Sequence, residues 1–173
     1  MVSNAGFFKL GFNENSVLFV AKATSTLFAI TNIILFWQIV RVTIKTYFYQ
    51  VIAILLYSIN SYTIASAVDG METALYAFLV LISFLLWKKR TSNIGAYIGF
   101  VLASSLLILI RHEGALFLIP FGLALLIEKR WKILQDPIIY IWATVFFTYH
   151  IWHYLIFGEL LTNPMLAKRH WPY

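Results

Sequence analysis

The fold is decided by the first long apolar stretch, residues 16–40, which reads SVLFVAKATSTLFAITNIILFWQIV and carries a single charge, Lys22. A helix needs about 20 residues to cross the hydrocarbon core of a bilayer, so this stretch predicts a transmembrane helix. Five further apolar stretches follow it: Thr46–Val68, Met71–Trp87, Asn93–Ile110, Gly114–Ile127 and Pro137–Phe157. Their apolar residues are continuous rather than alternating, which argues against a strand-based barrel. The prediction is an all-α fold, a polytopic transmembrane helical bundle of about six hydrophobic segments that forms one domain over residues 1–173.

The composition also indicates that this chain lies in lipid. The chain is 61% hydrophobic and only 12% charged, whereas soluble domains carry about 25% charged residues. A soluble fold of 173 residues has too much surface for its volume to hide so many apolar side chains. The absence of cysteine excludes disulfides, thiolate metal sites and thiol nucleophiles. The net charge of +6 comes from small basic groups between apolar runs, a pattern typical of membrane insertion and not of nucleic-acid binding.

Three of these basic groups predict an orientation. They lie after the first, third and fifth apolar stretches, at Arg41 and Lys45, at Lys88–Arg90 and at Lys129–Lys132. In a chain that crosses the membrane back and forth, these loops fall on one side, which the positive-inside rule makes cytoplasmic.

The opposite, extracytoplasmic side collects residues suited to a polar substrate. They are Asp69 and Glu72 before the third stretch, Arg111, His112 and Glu113 after the fourth, and Glu159, Asn163 and Lys168 in the tail. Carboxylates, a guanidinium, an imidazole and an amine on one face predict a binding site at the membrane surface of a plasma-membrane protein.

Each of these groups also has a purely structural interpretation. Asp69 and Glu72 suit the first turn of a helix, where the macrodipole favours acids, although the polar run before them is also typical of a cavity wall. Arg111 is better explained as a residue that binds phosphate than as part of a plain turn. An arginine at this position can also snorkel to lipid headgroups. Lys22 is expected to snorkel, the alternative being contact with a lipid phosphate. His150 and His153 share a helix face and are expected to pack with aromatic neighbours, the alternative being a metal.

Three segments resemble one family. Asp69–Thr73 (DGMET), Arg111–Gly114 (RHEG) and Phe157–Lys168 (FGELLTNPMLAK) occur in the order found in polytopic glycosyltransferases of the C-type superfamily. The similarity is to the mannosyl- or arabinofuranosyltransferase-like branch. It implies transfer of a sugar from a polyprenyl-phosphate carrier to a glycan, lipid or protein acceptor of the cell envelope, outside the membrane.

The resemblance also implies roles for individual residues. Arg111 and Lys168 would contact phosphate, and Glu72, Glu113 and Asn163 would bind or orient the sugar and the acceptor. Asp69 and Glu72 are the candidate general bases within the chain, and a divalent cation is a possible cofactor. No metal site, nucleic-acid partner or other cofactor is predicted.

The chain departs from the family pattern at both ends. Members begin with another span and a large outer loop that carries the acid regarded as the general base, and they continue beyond the position of Tyr173. The chain therefore resembles a fragment. Two alternatives stay open: a small transporter or flippase-like module, and an inactive partner subunit.

Overall fold

The computed structural model describes residues 14–61, 63–64, 71–111 and 114–158, and every regular element among them is helical. The elements are α1 (Glu14–Thr43), α2 (Tyr47–Ile59), α3 (Met71–Lys89), α4 (Ile94–Ile110), α5 (Gly114–Phe117), α6 (Ile119–Lys129), a 3₁₀ helix (Arg130–Gln135) and α7 (Pro137–Phe157). The all-α prediction is therefore confirmed. The chain divides into two compact units between Ser104 and Ser105.

Local side-chain chemistry sets several helix ends. Asn93 begins α4, because its Oδ1 accepts hydrogen bonds from the backbone N–H groups of Gly95 and Ala96 at 2.7 and 3.3 Å. Asp136 caps α7 by accepting from Ile138 N at 3.1 Å, with a proline following it in the first turn. The same helix ends at Gly158, whose φ of 72° is a left-handed conformation that favours glycine.

In the first unit, α1 and α3 pack against each other in opposite directions. Asn32 of α1 contacts Ala74 of α3, and Phe28, four residues earlier on α1, contacts Phe78, four residues later on α3. In a parallel pair, the position opposite Phe28 would lie about 12 Å along the axis from Phe78, which is too far for two rings to bridge. The pair is therefore antiparallel.

This direction corrects the orientation predicted for the basic groups. A chain that crosses the membrane at each of its first three stretches would place α1 and α3 parallel. In the structure, Arg41 and Lys88 lie towards opposite ends of the α1–α3 pair. The prediction that these two basic groups share one side is wrong for this unit.

The physical reason lies in the second apolar stretch. It was expected to run from Thr46 to Val68, but α2 ends at Ile59, and Asn60 leaves helical geometry with φ −58° and ψ 126°. Its 13 residues are too few to cross a bilayer core. Tyr57 stacks on Phe36 with ring centres 4.2 Å apart, so α2 runs back along only the last part of α1.

In the second unit, the stretch predicted at Gly114–Ile127 is interrupted at Leu118 into α5 and α6. Leu125 of α6 and Ile138 of α7 are both buried. The hydroxyl of Tyr140 donates to the carbonyl of Leu134 at 2.7 Å, which joins α7 to the preceding 3₁₀ helix.

Among the described residues, one helix is long and apolar enough to cross a membrane, over Leu18–Thr43. The shorter apolar helices are Tyr47–Ile59, Ile94–Ile110 and Gly114–Glu128. The other two long helices are α3 and α7. α3 carries charges at both ends, and α7 contains tyrosine, tryptophan and histidine along its length.

Candidate functional site

Two of the predicted site residues, Glu72 and Arg111, lie in the described part of the chain. Glu72 belongs to the first unit and Arg111 to the second. The other four, Asp69, Glu113, Asn163 and Lys168, fall outside the described residues.

Glu72 is exposed in the first turn of α3. A carboxylate there is stabilised by the positive end of the helix dipole. The antiparallel register places this turn beside the later part of α1, close to the level of Ile34. The carboxylate therefore projects where α2 has ended and α3 begins.

Asn32 of α1 faces the same turn of α3. It was not among the residues predicted for the site. Its side chain is 2% exposed, and Nδ2 donates to the carbonyl oxygen of Ala74 at 3.0 Å. Its Oδ1 is buried with no hydrogen-bond partner. An isolated amide within an apolar stretch was the available signal, since such residues tend to face the interior of a bundle.

Arg111 follows directly after α4 and is half-buried. Its backbone N–H donates to the carbonyl of Leu107 at 3.2 Å, and its carbonyl accepts from Gly114 N at 2.8 Å. These bonds carry the chain from the end of α4 into α5 through one tight turn.

Gly114 is the residue that permits this turn. Its backbone lies so close to Leu107 that a Cβ would collide with the carbonyl oxygen and carbon of that residue. Because these are backbone atoms, they cannot rotate away as a side chain would. The glycine of the RHEG segment is therefore required by a close backbone approach and not by a positive φ.

An open groove of about 580 Å³ lies in the second unit, within two residues of Arg111. It is lined by Leu109 of α4 and by Thr144, Val145, Thr148, Tyr149 and Trp152 of α7. The α7 residues recur at positions three and four apart, so they form one helix face. The sequence carries no distinctive signal for this groove, because its polar residues are single threonines and a tyrosine within an apolar stretch. The walls are apolar, which suits a hydrocarbon chain better than a sugar.

His150 and His153 lie in aromatic packing. The His150 ring is 4.2 Å from that of Phe146, and its Nδ1 is 2.9 Å from the Phe146 carbonyl oxygen, a contact that requires the proton on Nδ1. His153 is buried, 6.1 Å from the ring of Tyr149. Within the described residues, no group of three His, Asp or Glu could hold a metal ion.

A scan of protein-family models, a search of curated proteins and a search of solved structures find no match to this chain. The chemistry of its own residues is therefore the basis for a function.

Proposed function

We propose that the chain is a membrane-embedded part of a glycosyltransferase that takes a sugar from a polyprenyl-phosphate donor on the extracytoplasmic face of the plasma membrane. The observation that carries this proposal is that a cation follows the groove-lining helix α4 in the chain. Arg111 leaves α4 two residues after Leu109, which lines the groove. A guanidinium and an apolar groove in the same unit suit an amphiphilic phosphate, because the guanidinium can bind phosphate oxygens through two donors.

The distribution of polar side chains supports a multi-pass bundle in lipid. Several small polar residues are buried, and many large apolar residues are exposed. The buried polar residues include Ser25, Asn32, Ser83, Ser104 and Ser105. The exposed apolar residues include Phe19, Leu27, Leu102, Leu123 and Leu155, each more than half exposed. Buried small polar residues beside exposed large apolar ones are typical of transmembrane helices, which pack through small residues and face lipid with large ones.

In the reaction we propose, an acceptor hydroxyl attacks the anomeric carbon of the sugar. A carbon–oxygen bond to the acceptor forms, the bond to the carrier phosphate breaks, and a carboxylate takes the hydroxyl proton. Glu72 and Asp69 are the candidates for that carboxylate. Arg111 and Lys168 stabilise the departing phosphate, alone or with a divalent cation, while Glu113 and Asn163 orient the sugar and the acceptor.

The direct test is sugar transfer in membranes that contain the protein. We expect a radiolabelled sugar to move from polyprenyl phosphate to an envelope acceptor, and Glu72→Gln to slow this transfer. Donor binding without any transfer would instead support the inactive-partner alternative. Neither binding nor transfer with any polyprenyl-phosphate sugar would contradict the proposal.

One observation favours a transporter as the second candidate. The last part of α2 and the first turn of α3 both contact α1, and the first turn of α3 contacts the buried Asn32. Interrupted helices with a polar residue at the break are typical of substrate sites in transporters. Uptake of a solute or flipping of a lipid by liposomes that contain the chain, without sugar transfer, would support this candidate over the first.

A further inference from the structure

Two tryptophan–arginine pairs stand at the ends of the first unit's helices. Near the end of α1, the Arg41 guanidinium carbon lies 5.2 Å from the centre of the Trp37 ring. At the end of α3, the same atom of Arg90 lies 3.4 Å from the centre of the Trp87 ring, and Nη1 of Arg90 donates to the Trp87 carbonyl at 2.8 Å. Tryptophan favours the headgroup level of a bilayer, and an arginine near a helix end reaches the same level by snorkelling.

The antiparallel register fixes the distance between the two pairs. With Asn32 beside Ala74 and Phe28 beside Phe78, Trp87 lies alongside Phe19 of α1. Trp37 is then about 18 residues further along α1, which corresponds to about 27 Å. The hydrocarbon core of a typical bilayer is about 30 Å thick.

The exposed surface of α1 between these two levels is mostly apolar. On α1, Leu27, Ile30 and Ile34 are 64%, 53% and 47% exposed. The one charge on this part of α1 is Lys22, which is exposed and lies within one turn of the level of Trp87. Its side chain is long enough to reach the headgroups at that end.

We infer that α1 and α3 each cross the bilayer, in opposite directions, and that the two Trp–Arg pairs contact lipid phosphates on opposite faces. This rests on the membrane insertion in the proposed function but not on sugar transfer. The charged residues of α3 that disfavour it as a span by composition, Glu72, Lys88 and Lys89, lie at its two ends. At those ends they meet headgroups and water and not hydrocarbon.

The inference also orients the unit. Of the described residues, Lys22, Lys88, Lys89 and Arg90 lie towards one end of the pair, and Arg41 and Lys45 lie towards the other. The more basic end is cytoplasmic by the positive-inside rule. Glu72 then lies near the extracytoplasmic surface, within about one turn of the level of Trp37, which is the face that the proposed function requires.

Impermeant maleimide labelling tests this on the full chain, because the chain contains no cysteine and each variant therefore has one thiol. The variants are Thr43→Cys and Ser92→Cys, at exposed positions beyond the two Trp–Arg levels, and Ile30→Cys, between them. In bacterial spheroplasts we expect Thr43→Cys to react from outside, Ser92→Cys to react only after permeabilisation, and Ile30→Cys to resist in both conditions.

Reaction of Thr43→Cys and Ser92→Cys from the same side, with Ile30→Cys protected, would overturn the inference and leave membrane insertion standing. Reaction on opposite sides but in the reverse sense would overturn the orientation. Labelling of Ile30→Cys in intact spheroplasts would overturn the inference together with the membrane part of the proposed function.

Discussion

Asn32 of α1 donates a hydrogen bond from Nδ2 to the carbonyl oxygen of Ala74 in the first turn of α3, across 3.0 Å. The bond joins two positions that are 42 residues apart in the chain, and it holds the start of α3 against α1. Because Glu72 lies two residues before Ala74, the same bond positions the candidate carboxylate.

Asn32→Ala should destabilise the first unit. The variant loses a buried hydrogen bond and part of a packed side chain, and we expect a cost of about 1 kcal/mol, reduced somewhat because the unpartnered Oδ1 is lost as well. Unfolding in mixed micelles with increasing denaturing detergent measures this free energy. The matched control is Thr26→Ala, because the exposed Thr26 hydroxyl bonds only to Lys22 O of its own helix, at 2.9 Å. Equal effects of the two substitutions would contradict the role of the Asn32–Ala74 bond.

Gly114→Ala should be more harmful than any other glycine-to-alanine change in the described helices. The new methyl group would collide with the backbone of Leu107, so the turn after α4 must shift, at a cost of about 1–3 kcal/mol. Gly122→Ala is the control, since nothing lies within 4 Å of its added Cβ and alanine is favoured over glycine in a helix by about 1 kcal/mol. Thermal unfolding in detergent should therefore move in opposite directions for the two variants. A Gly114→Ala protein as stable as the parent would show that the close approach does not exist.

Asp136→Ala should weaken the start of α7, which carries most of the apolar groove. The carboxylate is 4% exposed and accepts from Ile138 N, and loss of such a cap costs about 1 kcal/mol. Asp136→Asn keeps an acceptor oxygen and should retain most of the stability. The comparison is made by thermal unfolding at constant pH. A loss of the same size in both variants would mean that the cap is not the source of the stability.

Arg111→Ala should weaken binding of the polyprenyl-phosphate donor while membrane insertion stays intact. Loss of a charge-assisted hydrogen bond to phosphate corresponds to about 10- to 100-fold in the dissociation constant. Lys132→Ala removes one positive charge from an exposed position and serves as the control. Donor binding by the Arg111 variant that equals binding by the control would remove Arg111 from the site.

Much of the secondary structure follows from hydropathy and local signals. The sixth apolar stretch coincides with α7, Pro137–Phe157, because Asp136, Pro137 and Gly158 mark its ends in the sequence. The permissive role of Gly114 was also visible, since it follows three ionisable residues in an otherwise apolar stretch.

The packing could not be predicted in the same way. Hydropathy shows how much of the chain is apolar but not where a helix ends within an apolar stretch, and Asn60 ends α2 well before Val68. Once α2 is too short to cross the membrane, the direction of α3 depends on contacts such as Phe28–Phe78. Such contacts leave no periodic signal. The groove was missed for a related reason, because its two helices are far apart in sequence.

The antiparallel pairing of α1 and α3 is the central structural claim, because the orientation of the first unit and the position of Glu72 depend on it. It can be tested by cross-linking two introduced cysteines with a short bifunctional thiol reagent in native membranes. Phe28→Cys with Phe78→Cys should cross-link, since these rings lie 5.4 Å apart. Val40→Cys with Ile82→Cys should not, because the antiparallel register separates these positions by about 24 Å, whereas a parallel pair with Asn32 beside Ala74 would place them together. Cross-linking of the second pair and not the first would contradict the account.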